Sequence, residues 1–69
     1  MLTLRKTAVT LFVDRYSQQW VVRDGEGNFW IVSAEHERPW EHRQPFRPNE
    51  ETQLESVPGH YKHMLGLPP

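Results

Sequence analysis

Two runs of alternating and β-branched apolar residues, "QWVVR" and "FWIVS", flank the polar stretch "DGEGN" at residues 24 to 28. Glycine at 25 and 27 tolerates the positive φ that tight turns demand, and Asp24 and Asn28 can bond back to nearby backbone. The pattern predicts a central β-hairpin over about 16–23 and 28–33. With Asp24 to Gly27 as the loop, Val22 is expected opposite Phe29 and Trp20 opposite Ile31. That register gives one apolar face and leaves Val21, Trp30 and Val32 on the other. Both faces therefore want cover.

Upstream, "TAVTLFVDRY" alternates Thr7, Val9, Leu11 and Val13 with Ala8, Thr10 and Phe12, and its β-branched content favours a strand. A helix remains the alternative, since Val9, Phe12, Val13 and Tyr16 also fall at i, i+3, i+4 and i+7. Residues 1–6 carry no assigned element and are expected to be disordered. Residues 34–53 read as a proline-rich loop pinned to the sheet by Trp40 and Phe46, with a short edge strand near His42 to Phe46. "TQLESV" is expected to be a last strand with Leu54 buried. Towards the end, Tyr61, Met64 and Leu65 share helical spacing, Ser56 could cap the turn, and Gly66 and the prolines beyond it stop it. The expected fold is mostly β, a small antiparallel sheet or SH3-like barrel with a short C-terminal helical turn. Its core would hold Leu11, Val13, Trp20, Val22, Phe29, Ile31, Leu54, Tyr61 and Leu65.

At 69 residues the chain makes one small domain, and such a domain buries only about 60% of its unfolded surface. Hydrophobic residues are 36% of it, so three Trp, three Phe and two Tyr have to carry most of the packing. Cysteine is absent, which removes disulfides and thiolate metal knuckles as staples. The apolar stretch Ala8 to Val13 is too short for a secretory leader or a membrane span, so a soluble, cytoplasmic protein without membrane partners is expected.

The net charge of -1 hides an asymmetry. Arg5, Lys6, Arg15 and Arg23 face Asp14 alone in residues 1–23, whereas residues 24–56 carry eight acids against Arg38, Arg43 and Arg47. A uniform polyanion-binding surface is therefore excluded. A local basic edge of Arg5, Lys6, Arg15 and Arg23, with Tyr16 as a stacking platform, keeps nucleic-acid binding as the alternative function.

Four histidines invite a metal reading, with His60 and His63 at i, i+3 and His36 and His42 among Glu35, Glu37 and Glu41. No metal-binding motif organises them, and exposed histidines without a metal or other cofactor are expected. Ser17, Ser33 and Ser56 lie in no nucleophile-elbow or phosphate-loop context, and the acids fall in proline-broken sequence typical of a solvated face. No enzymatic activity is expected.

"LFVDRY", "EGNFWIV" and "VPGHY", at 11–16, 26–32 and 57–61, together resemble the order of signals in SH3 domains and cover less than a third of the chain. The resemblance implies a groove for proline-rich segments in which Trp30, Pro58 and Tyr61 take part. Trp40 is a further candidate for protein binding. The leading expectation is a non-catalytic protein-interaction module whose partner is another protein or a second copy of itself.

Overall fold

The computed structural model describes residues 8–68. Among them, five strands and one short helix follow in order: β1 (Thr10–Asp14), β2 (Gln19–Arg23), β3 (Phe29–Val32), β4 (Gln44–Pro45), β5 (Leu54–Ser56) and α1 (Tyr61–Leu65). All pairings are antiparallel, and the sheet order is β4-β3-β2-β1-β5. The sheet is open, with β4 and β5 at opposite edges. Of the two arrangements expected from the sequence, the sheet is the one observed, and it is not closed into a barrel. The strand reading of "TLFVD" also holds. Residues 1–6 lie outside the described part.

The central hairpin forms, but one residue out of the expected register. Val22 lies opposite Trp30 and Trp20 opposite Val32, while Val21 pairs with Ile31 and Arg23 with Phe29. The cause is the turn. Asp24 donates its backbone N–H to the Asn28 carbonyl at 2.9 Å, and Gly27 donates to the Asp24 carbonyl at 3.1 Å, leaving Gly25, Glu26 and Gly27 as a three-residue loop. Gly27 takes φ +88°, the left-handed position of a turn followed by a glycine bulge. An odd loop moves every side chain of the second strand to the other face relative to an even one.

Since Leu11 pairs with Val22 and Val13 with Trp20, one face collects Val9, Leu11, Val13, Trp20, Val22, Trp30 and Val32. This is the core face. Val9, Leu11, Val22 and Val32 are buried there against Leu65 and Leu67, with Trp20, Trp40, Val57 and Tyr61 packed around them. Phe29 and Ile31, expected in that core, instead share the opposite face with Phe12 and Val21. Leu54, paired with Asp14, lies there too and is half-buried rather than buried. Only Val21 of that group is fully buried, at the centre of the sheet.

The helical turn forms where the sequence places it. Gly66 adopts φ +67°, its N–H reaches the His63 carbonyl at 3.2 Å, and the Leu67 N–H reaches Lys62 at 3.0 Å. This double closure delivers buried Leu67 to the core immediately after the helix. Two expectations fail. Ser56 belongs to β5 and does not cap the helix, whose N-cap position is held by His60 without a side-chain hydrogen bond. Met64 is 73% exposed, because a helix turning 100° per residue puts it roughly 60° to one side of Tyr61 and Leu65 roughly 40° to the other.

The 34–53 segment is not structureless. Turns at Ser33–His36 and Arg38–Arg43 carry Trp40 back to the core, and Phe46 donates its N–H to the Phe29 carbonyl at 3.0 Å. Pro45 sits opposite Trp30, one residue away from that bond, so its nitrogen faces away from β3. No helix of the described residues is long and apolar enough to cross a membrane.

Candidate functional site

Trp20 is the second residue of β2, at the end of the core face where α1 docks. Its ring lies 6.2 Å from that of Tyr61, tilted by 32°, and Tyr61 in turn stacks at 4.4 Å on His60. Beside this pair, a groove of about 190 Å³ is lined by Trp20, Ala34, Tyr61, Met64 and Leu65. A second hollow of about 270 Å³, lined by Gln18, Gln19, Ser33 and Glu35 among others, shares Trp20 and Ala34 with it. On the other flank of α1, Lys62 and His63 line a more open hollow with Gly59 and Leu67. Exposed Met64 lines the groove beside Trp20 and Tyr61, and its flexible chain can repack against varied shapes.

Pro58 and Tyr61 meet at the helix start, where Tyr61 donates its N–H to the Pro58 carbonyl at 3.2 Å. Trp30 and Trp40 form a separate cluster. The Arg43 guanidinium carbon lies 4.7 Å from the Trp30 ring centre and 4.1 Å from that of Trp40. Arg43 also donates to the Trp40 carbonyl at 3.0 Å. Trp30 gives its indole N–H to Asp24 at 3.0 Å. That bond, first among its causes, holds the Asp24 carboxyl below its ordinary pKa, helped by the Asn28 and Glu26 N–H groups and opposed by desolvation.

Of the expected basic edge, the two described arginines, Arg15 and Arg23, do not lie together. Arg15 pairs with Glu55 at 2.8 Å, and Arg23 stands at the far end of the β1–β2 hairpin, on the opposite face. Tyr16 is 58% exposed beside Arg15, while Arg5 and Lys6 lie outside the described residues. His36 and His42 stack in parallel at 4.8 Å. Among the described residues no three histidine or carboxylate side chains come close enough to hold a metal ion.

Asp14 is the one charged residue of the described part that is buried. Its carboxylate accepts the Tyr16 N–H at 3.0 Å, the Ser17 hydroxyl at 2.8 Å and the Gln53 N–H at 2.9 Å. The Gln53 bond is the main cause of a pKa below the ordinary value, against a desolvation that raises it. Paired with no cation among the described residues and met by three donors, this group is a brace between the first hairpin turn and β5.

As site residues, Trp20, Met64 and Arg43 escaped the sequence reading, which placed Trp20 in the core and Met64 only at the helical spacing of Tyr61 and Leu65. Met64 was legible from helical phase alone, and the i, i+3 spacing of Trp40 and Arg43 carried a weak signal for their contact. Comparison with known proteins finds no matching family model, no similar characterised sequence and no similar solved structure.

Proposed function

We propose that this protein is a non-catalytic interaction module that receives an extended, proline-bearing segment of a partner protein in the groove between Trp20, Tyr61 and Met64. The observation that carries this reading is the exposed Met64 beside an aromatic pair on a fixed sheet end. Aromatic rings present large area at little entropic cost, and a pair of them suits the pre-extended proline helix. The resemblance to SH3 domains supports the same reading through Pro58 and Tyr61. Trp30, the third residue it matched, is engaged by Asp24 and Arg43, and Trp20 stands in the groove instead. Lys62 and His63 on the neighbouring flank favour an acidic residue in the bound segment.

Panning a random ten-residue peptide library on the full chain at low and high salt tests this. The expected peptides share proline next to an aliphatic residue, survive high salt and shift the Trp20 indole resonance. Met64→Ser should weaken them about tenfold at unchanged melting temperature. A chain that selects no peptide, or one that retains only nucleic acid at low salt, overturns the proposal.

A further inference from the structure

Two tryptophans flank one guanidinium at the other end of the core face, the Trp30 ring being held from its edge by a carboxylate, and one N–H of the occupant finds no partner there. Arg43 has its Nε buried with no hydrogen-bond partner, although its guanidinium carbon is within cation–π range of both indoles. A buried N–H without an acceptor is costly, whereas a methylated ammonium has no N–H to satisfy. The Trp30 indole N–H donates to Asp24, and donation to an anion makes that ring's face more negative and a better seat for a cation.

We infer that Trp30 and Trp40 form an aromatic seat for a quaternary methylammonium, with Asp24 holding the Trp30 ring and Arg43 as an internal stand-in that a ligand displaces. The shared chemistry is a trimethylated nitrogen, carried either by trimethyllysine in a protein or by a choline group. On leaving, Arg43 regains solvent for its Nε, the ligand takes over its two cation–π contacts, and water takes over its bond to the Trp40 carbonyl. Arg43 thereby lowers apparent affinity by competition, which removing its side chain relieves. This site is independent of the Trp20–Tyr61 groove and does not rest on the function proposed for it.

The full chain, with Arg43→Ala and Arg43→Met variants, is titrated with a trimethyllysine peptide, its unmethylated twin and phosphocholine, following the Trp30 and Trp40 indole N–H resonances. The expected result is a shift of both signals with a trimethylated probe, none with the unmethylated peptide, and binding about tenfold tighter in the variants. Response to the peptide alone assigns the ligand to a modified protein, and response to both probes or to phosphocholine alone assigns it to the choline chemistry. Absence of shifts with either trimethylated probe in a folded variant overturns the inference, as does equal response to the methylated and unmethylated peptides. Where both variants lose their dispersed spectra, the titration of the unaltered chain up to millimolar probe decides in the same way.

Discussion

Trp30 and Asp24, six residues apart on either side of the hairpin turn, are joined by an indole–carboxylate hydrogen bond of 3.0 Å. The other oxygen of Asp24 accepts the N–H groups of Glu26 and Asn28, both at 2.9 Å. One carboxylate thus shapes the loop, and with it the register, while orienting the ring that faces Arg43. Asp24→Ala should lower the melting temperature and move the Trp30 indole resonance, whereas Asp24→Asn should retain part of both. Equal effects of the two variants would mean that charge, and not acceptor geometry, is what matters there.

The two carboxyls with depressed pKa values set a direction for acid sensitivity. Asp14 and Asp24 both lie below their ordinary value of 3.8 when folded. A depressed folded pKa stabilises above the unfolded value, and that contribution is lost as pH falls from 3.8 through the folded pKa. The contribution of these two groups to thermal stability should therefore be fully present at neutral pH and fall on the acid side of that value. Asp14→Asn should flatten the acid limb, and an unchanged limb would assign the loss to other groups.

Glycine substitutions should separate backbone cost from steric cost. A Cβ at Gly27 or Gly59 meets nothing within 4 Å, but only Gly27 of the two has a positive φ. Gly27→Ala is expected to cost about 1 kcal/mol in urea unfolding. Gly59→Ala should be neutral or stabilise by about 0.5 kcal/mol, through the unfolded state.

Truncation on the core face should be the most damaging change. Leu11 is 1% exposed and touches the layer that joins sheet to helix. Leu11→Ala is expected to cost about 2–5 kcal/mol, a large part of the stability of a domain this small. Removing the exposed Arg15–Glu55 pair should change stability by less than about 1 kcal/mol. Chemical denaturation of both variants checks the contrast.

Fold class was legible because the signals were local: β-branched runs, a glycine turn and a glycine-terminated helical phase. Register was not, since three-, four- and two-residue loops can all be drawn through "DGEGN". Only the hydrogen bonds of Asp24 distinguish them. That single ambiguity moved Phe29 and Ile31 out of the expected core and brought Trp30 onto the core face beside Val22. At the candidate sites, Pro58 and Tyr61 were named through the resemblance of "VPGHY" to the end of SH3 domains, a pattern held within one short stretch of chain. Trp20 with Tyr61, and Trp30 with Arg43, meet only through tertiary packing, and no local pattern encodes such pairs.

Pro45 gives the outer margin of β4 a carbonyl but no donor, while β5, which pairs only with β1 among the described residues, keeps both groups along its short outer side. For assembly, each molecule then resembles a monomer with one reactive end and one capped end. Copies that join margin to margin can pair through β5, but each pair presents two capped ends to the next arrival. Growth by this route stops at two.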